Sequence, residues 1–196
     1  MTVLKGLKEL KGGIMILTVS DGEEIKRLFV PTRVYRNIGA PVVGCSLDGA
    51  MDELLFADEL YRAEKKALSL LSYADNNVQS LKVKLVRAGF SREAVDDVAS
   101  QMLRLGYINE QRQLERLILN EANVNLKGPY KIIPKLAAKG YSVALIKSVF
   151  KELCESGEID LNKNRQKLIA KKLGEDADGE QKRILLYKNG FSPRYN

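Results

Sequence analysis

The 196-residue sequence contains no histidine and no tryptophan, and its only cysteines are Cys45 and Cys154. Without histidine, a Ser-His-Asp triad, histidine acid–base catalysis and a histidine-ligated zinc site are all excluded. Two cysteines this far apart do not make a disulfide framework, so we expect buried free thiols in a reducing compartment. Neighbouring carboxylates such as Asp96 and Asp97 do not share a helix face. The sequence therefore predicts no enzyme, no metal site and no cofactor.

Long hydrophobic segments are missing as well. The longest stretch without a charged residue covers residues 37–47 and includes Gly39, Pro41 and Gly44. A membrane-spanning helix needs about 20 apolar residues, which is far more than this stretch offers. The basic start of the chain leads into an apolar run that is too short for a signal peptide. We expect a cytoplasmic monomer without a membrane segment.

The charge is positive and unevenly distributed. The formal net charge is +7. Residues 1–60 carry seven basic and nine acidic residues, whereas residues 161–196 carry nine basic and four acidic residues. This gradient favours an anionic partner at the C-terminal part of the chain. A solvated basic surface without a partner is the alternative.

Two sequence markers recur with one period of about 50 residues. A Gly-aromatic-Ser motif begins at Gly89, Gly140 and Gly190, with spacings of 51 and 50. A polar residue recurs in phase with it at Asp58, Asn109 and Asp160, spaced 51 and 51. Two markers that keep one period indicate a repeat architecture.

Each marker predicts a helix boundary. The glycine ends a helix with a positive φ, and the serine caps the next helix. Asn109 and Asp160 follow an isoleucine and are predicted to cap helices as well. The predicted helices lie near 59–73, 77–88, 92–105, 110–123, 129–139, 143–156, 161–173 and 178–189, with a last one starting at Pro193. Pro134 falls inside one of them, which predicts a later start or a kink.

The first 50 residues follow another pattern. Strand-like segments at 14–19 and 25–30 flank Asp21-Gly22, which predicts a β-hairpin. A short helix from Pro31 to Gly39 and a short strand at Val42-Val43 are expected to follow. The predicted fold is mainly α, with tandem three-helix repeats that form an elongated curved rod and a small N-terminal β-hairpin region. The predicted segments are 1–52, 53–106, 107–157 and 158–196.

Five stretches of the sequence have a recognisable pattern of helix caps and apolar positions, and they cover residues 66–72, 81–91, 103–109, 127–132 and 139–142. These stretches resemble the RecX family of recombinase regulators. The resemblance extends over roughly residues 60–192. It implies tandem three-helix repeats and a non-enzymatic protein that binds the RecA recombinase. It further implies binding in the groove of the RecA filament on single-stranded DNA, with suppression of ATPase, strand-exchange and co-protease activities. An alternative function is direct DNA binding by helix-turn-helix units.

Basic side chains are the candidate contacts to the RecA filament or to DNA. Four lysines recur every four residues and therefore lie on one broad side of a helix. Two arginines precede them, and five further basic residues crowd the first helix of the third predicted unit. The candidates are Arg112, Arg116, Lys127, Lys131, Lys135, Lys139, Lys163, Arg165, Lys167, Lys171 and Lys172. Base stacking on Tyr130, Tyr141, Tyr187 or Phe191 is a further possibility, although helix packing is the alternative for Tyr141 and Phe191.

Overall fold

A computed structural model describes residues 1–173 and 177–192. The chain is mainly α-helical and carries a three-stranded antiparallel sheet at its N-terminus, so the predicted mainly α class with a small N-terminal β region is confirmed, whereas the curved rod of repeats stays a prediction. It divides into two compact units. Unit 1 consists of Met1–Asn76 and Leu81–Tyr107, and unit 2 of Asn77–Ser80 and Ile108–Asn196. The helix predicted from Pro193 lies outside the described residues, and the four predicted segments stay a prediction.

The sheet contains three strands, and its first strand lies where the sequence analysis predicted none. The strands are β1 (Val3–Leu10), β2 (Ile14–Ser20) and β3 (Ile25–Pro31), paired in that order. The predicted hairpin is confirmed as β2 and β3. The third strand precedes it instead of following at Val42-Val43, which is exposed and forms a turn. β1 was missed because a bulge between Leu4 and Gly6 breaks the alternation of apolar and polar residues.

Two helices and a turn complete the N-terminal half of unit 1. Helix α1 (Thr32–Asn37) follows β3 directly, and a 3₁₀ turn (Asp48–Ala50) leads into α2 (Met51–Tyr73). The sequence placed the start of α2 at residue 59, and this prediction was wrong. Asp58 is not a cap but lies inside α2, where its Oδ1 accepts a hydrogen bond of 2.7 Å from the Phe29 N–H. Because β3 is an edge strand, this bond satisfies a backbone donor that no strand reaches.

Helices α3 (Val78–Arg87) and α4 (Arg92–Arg104) follow, and the first turn of α3 belongs to unit 2. Between them, Gly89 has a φ of +94°, and Ser91 caps α4 by accepting a hydrogen bond of 3.3 Å from the Ala94 N–H. Glu59 of α2 binds the backbone N–H and the hydroxyl of Ser91. The prediction of this helix boundary from Gly-aromatic-Ser is therefore confirmed.

The remaining helices build unit 2. They are α5 (Glu110–Leu119), α6 (Pro129–Ala137), α7 (Val143–Glu155), α8 (Leu161–Lys172) and α9 (Gly179–Lys188). Asn109 and Asp160 cap α5 and α8, each accepting a hydrogen bond of 2.9 Å, so these two predictions are confirmed. Ser142 precedes α7 but makes no side-chain capping hydrogen bond, so the predicted serine cap is wrong at this position. One core joins α5, α6 and α7 through Leu114, Ile118, Ile132, Leu136, Ile146 and Val149.

Two helix ends in unit 2 differ from the sequence prediction. The helix predicted over 110–123 changes after Leu119 into a π-helical turn over Asn120–Val124, in which Glu121 and Ala122 are buried. Helix α6 begins at Pro129, a favourable first position, and continues past Pro134. Of the two alternatives for Pro134, the later start of the helix is therefore wrong. Among the described residues no helix is long and apolar enough to cross a membrane.

Candidate nucleic-acid interface

All candidate basic residues lie in unit 2, which carries nearly all of the net positive charge. Unit 2 contains 17 basic and 11 acidic residues, and unit 1 contains 15 basic and 14 acidic residues. Lys127 and Arg165 are half-buried, and the other candidates are exposed. The helices therefore place these side chains where an anionic partner could meet most of them.

Lys127, Arg165 and Lys135 make side-chain contacts within unit 2. The Lys127 ammonium donates a hydrogen bond of 2.8 Å to Asn189 Oδ1 at the end of α9. The Arg165 guanidinium donates to the backbone oxygen of Ser192 at 3.0 Å and lies 5.7 Å from the ring centre of Phe191. Lys135 forms an ion pair of 2.7 Å with Glu121. These three cations therefore connect different parts of unit 2 to one another.

Glu121 explains why Lys135 is needed inside unit 2. Its carboxylate is buried in the π-helical turn, where Oε1 accepts hydrogen bonds from Lys135 at 2.7 Å and from the Asn125 amide at 3.1 Å. A buried carboxylate is costly unless a cation or hydrogen-bond donors compensate it. Lys135 therefore has a structural role that the four-residue lysine spacing did not reveal.

Helix α8 presents four exposed lysines to solvent. Its buried residues are Asn164 and Leu168. Lys163, Lys167 and Lys171 recur every four residues and are exposed on the side of α8 that borders these buried positions. Within 1–173 and 177–192, none of these three lysines has an ion-pair partner. Lys172 is exposed in the last turn of the same helix.

The two candidate arginines occupy a similar position on α5. Arg112 and Arg116 are exposed and spaced by one helical turn. Leu114 and Ile118 lie on another side of the helix and belong to the core. α5 and α8 therefore each present a basic side to solvent.

A surface pocket of about 410 Å³ brings two Tyr-Lys pairs together. Tyr130 and Lys131 come from the first turn of α6, and Tyr187 and Lys188 come from the last turn of α9. Gly190, Phe191 and Ser192 complete the lining. Tyr130 and Tyr187 stand 57 positions apart and so do not follow the repeat period. Their shared Tyr-Lys sequence was the signal that could have pointed to this pocket.

Backbone contacts fix the two sides of this pocket. The Gly128 N–H donates to the oxygen of Asn189 at 2.8 Å, and the Tyr130 N–H donates to the oxygen of Gly190 at 3.1 Å. A Cβ atom on Gly128 would overlap the carbonyl group of Gly190. The glycines therefore permit a backbone approach that a larger residue would prevent.

The four aromatic residues considered for stacking differ in exposure. Tyr141 is buried, and its hydroxyl donates to Gln113 at 2.9 Å. Phe191 is buried as well, which agrees with the packing alternative for both residues. Tyr130 and Tyr187 are 63% and 74% exposed. Only these last two rings are accessible for stacking on a ligand.

The lysines spaced by four residues have different surroundings. Lys127 contacts Asn189, Lys131 lines the pocket and Lys135 pairs with Glu121. Lys139 follows the end of α6, and its backbone oxygen accepts a hydrogen bond of 2.8 Å from Asn77. The equal spacing therefore does not by itself produce four equivalent contact residues.

Neither cysteine forms a disulfide. Cys45 is exposed, so the expectation that both thiols are buried was wrong for this residue. Cys154 is half-buried in the core of unit 2, and this burial raises the pKa of its thiol, with a further contribution from Glu155. Within the described part of the chain, no group of three or more cysteine, aspartate or glutamate residues could hold a metal ion.

Comparison with known proteins shows first a shared fold and then a similarity in sequence. No family model matches the chain. Its fold is that of a solved regulatory protein RecX, with a TM-score of 0.70 at 21% identity over 98% of this chain and 95% of the other. RecX from Lactobacillus salivarius gives a TM-score of 0.58 at 19% identity over 70% and 91% of the two chains. The chain thus shares the fold of solved RecX structures.

Curated sequences point to the same family. A regulatory protein RecX from Bacillus cytotoxicus is 29% identical over 119 residues, which cover 61% of this chain and 43% of that protein. One from Pelodictyon phaeoclathratiforme is 26% identical over 126 residues, covering 64% and 78%. The match spans less than half the length of the Bacillus relative. The resemblance of the chain to the RecX family is confirmed.

Proposed function

We propose that this chain is a RecX-like regulator of the RecA recombinase. It binds the RecA filament on single-stranded DNA and suppresses its ATPase, strand-exchange and co-protease activities. It acts without an enzymatic activity of its own, as a monomer in the cytoplasm. The observation that carries the proposal is the combined match in sequence and fold to proteins named regulatory protein RecX.

The charge distribution of unit 2 supports a contact with this partner. A filament that contains single-stranded DNA offers phosphate groups, which attract a surface with a positive net charge. Lys163, Lys167 and Lys171 are exposed on α8, and no carboxylate pairs with them within the described ranges. They are therefore available for a partner, unlike Lys127 and Lys135, which already have contacts inside unit 2.

The test is the DNA-dependent hydrolysis of ATP by RecA on single-stranded DNA, with this protein titrated in at physiological salt. We expect hydrolysis to fall at protein concentrations well below that of RecA, because binding to one site can affect many subunits of a filament. The variant Lys163→Glu/Lys167→Glu should need about tenfold more protein, which corresponds to a loss of about 1.4 kcal/mol. Circular dichroism checks that both proteins remain helical.

A charge-matched variant in unit 1 provides the control. Lys8→Glu/Lys11→Glu changes the net charge by the same amount at exposed positions of the N-terminal region. It should inhibit like the original chain. Equal losses of inhibition in both variants would show that only total charge matters and would remove α8 from the interface. No effect on RecA, together with tight binding to duplex DNA, would instead favour the helix-turn-helix alternative.

A further inference from the structure

We propose that the pocket formed by Tyr130, Lys131, Tyr187 and Lys188 binds one nucleotide of single-stranded DNA. The base stacks on an exposed tyrosine ring, and the lysines hold the adjacent phosphates. This inference deepens the proposed function, on which it rests for its biological setting, because it assigns a direct DNA site to unit 2. The site itself can be examined without RecA.

The exposure of the two tyrosine rings is the first argument. Tyr130 and Tyr187 are 63% and 74% exposed, whereas Tyr141 and Phe191 at nearby positions are buried. Neither exposed ring contributes a hydroxyl hydrogen bond within the described part of the chain. Exposed aromatic rings beside cationic groups are the usual platforms for unpaired bases, because every base has a π-face. These two rings therefore suit a planar ligand.

The charge of the pocket is the second argument. Within residues 1–173 and 177–192, the ammonium groups of Lys131 and Lys188 have no ion-pair partner. The pocket lies between the N-terminal end of α6 and the C-terminal end of α9, whose partial charges are opposite in sign. The partial charges of the two helix ends therefore largely cancel, and the two lysines determine the sign of the local charge. A phosphate group complements them.

The pocket is also held in place before any ligand arrives. Lys127 binds Asn189, and Arg165 contacts both Ser192 and the Phe191 ring. The close approach of Gly128 to Gly190 joins the two sides through backbone hydrogen bonds. A preformed site loses less conformational entropy when a ligand binds. Lys127 and Arg165 therefore stabilise the pocket through contacts within unit 2, whereas Lys131 lines the pocket itself.

A nucleotide matches the pocket better than an acidic peptide. The volume of about 410 Å³ lies in the range of about 300–1,000 Å³ that is typical of ligand pockets. A peptide carboxylate would use the lysines but leave both tyrosine rings without a planar partner. A base in a duplex is already stacked on its neighbours, so only a single strand can offer a free face.

The test uses the absence of tryptophan from the chain. In the variant Tyr187→Trp, the single tryptophan reports on the pocket, and titration with oligo(dT) without RecA should quench its fluorescence. Tyr73→Trp is the matched control, because Tyr73 is 93% exposed and lies in unit 1. We expect no saturable quenching of this control. Duplex DNA should not quench either variant.

Second substitutions in the Tyr187→Trp protein identify the contacts. Tyr130→Ala should weaken oligo(dT) binding between roughly 5-fold and roughly 150-fold if its ring carries a stacked base. Lys131→Ala/Lys188→Ala should weaken it too and reduce its salt dependence. Lys147→Ala, at an exposed position of α7, should leave binding unchanged. Circular dichroism confirms that each variant folds.

The results separate this proposal from the proposed function. If oligo(dT) does not quench the tryptophan of the Tyr187→Trp variant while the original chain still inhibits RecA, the pocket proposal is wrong and the regulator proposal stands. If this tryptophan is quenched but RecA hydrolysis is unaffected, the DNA site stands and the regulator proposal fails. Saturable quenching by an oligo-glutamate peptide but not by oligo(dT) would assign the pocket to an acidic protein and overturn the nucleotide proposal.

Discussion

Glu121 and Lys135 form a pair in which the two partners are unequally exposed. The Glu121 side chain is buried, whereas that of Lys135 is 49% exposed. In Lys135→Ala the carboxylate loses its cation and keeps the hydrogen bond from the Asn125 amide. We expect the free energy of unfolding to fall by about 1–2 kcal/mol, less than for a fully buried pair because solvent screens the lysine. Urea denaturation measures it.

Lys131→Ala is the matched control for this prediction. Lys131 lies one turn earlier on α6, is exposed, and has no ion-pair partner in the described ranges. Its removal should change the free energy of unfolding by no more than about 0.5 kcal/mol. Equal stability of both variants would show that Asn125 and water compensate Glu121 without the lysine.

These two lysines also show where inference from sequence ends at the level of single residues. Their spacing correctly indicated that both lie on the outer part of a helix, because the helical period is a local property. The burial of Glu121 depends on a π-helical turn that nothing in the local sequence announced. Whether a surface cation is already paired therefore could not be predicted from spacing alone.

At the scale of secondary-structure elements, α6 and α9 meet through two glycines. In Gly128→Ala, the new Cβ atom would overlap the backbone of Gly190 and Phe191, which cannot move like a flexible side chain. The φ of −89° at Gly128 is acceptable for alanine, so overlap is the cause of the cost. We expect a loss of about 1–3 kcal/mol in chemical denaturation.

Gly179→Ala provides the comparison within the same unit. Gly179 is the first residue of α9, and a Cβ atom there meets none of the described residues' atoms within 4 Å. Alanine should therefore be neutral or stabilise by up to about 1 kcal/mol, because it restricts the unfolded chain. If Gly128→Ala were equally well tolerated, the ends of α6 and α9 would not be held as closely as the backbone contacts imply.

Helix ends set by local sequence were predicted better than elements set by distant contacts. Asn109 and Asp160 cap helices as expected, because a cap needs only the residues that follow it. Asp58 occupies the same phase of the repeat but binds the Phe29 N–H of β3, 29 positions earlier in the chain. The sequence analysis missed strand β1 and placed the start of α2 too late. Both errors come from contacts with the N-terminal sheet, which local spacing does not reveal.

For the whole molecule, composition and periodicity were sufficient for the fold class but not for the location of a site. The mainly helical class with a small N-terminal sheet followed from the alternation and the helical period of apolar residues. The basic gradient correctly placed the positive charge toward the C-terminal part. The pocket combines Tyr130 of α6 with Tyr187 of α9, which lie 57 positions apart in the chain.

This charge distribution leads to a prediction about salt. Unit 2 has a net charge of +6, with 17 basic and 11 acidic residues, so the salt dependence of DNA binding should arise there. Each phosphate neutralised on a single strand contributes a slope of about −0.7 to log K against log salt. If Lys163, Lys167 and Lys171 each contact a phosphate, replacing all three by alanine should flatten the slope by about 2.

Fluorescence anisotropy of labelled oligo(dT) over a series of salt concentrations measures this slope, and Lys5→Ala/Lys8→Ala/Lys11→Ala in unit 1 is the control with the same change in charge. The control should keep the slope of the original chain. A variant of α8 that keeps its slope on oligo(dT) but binds the RecA filament more weakly would show that these lysines contact protein rather than phosphate. The two components of the filament can thus be distinguished by salt, because only release of counterions from DNA produces the linear dependence.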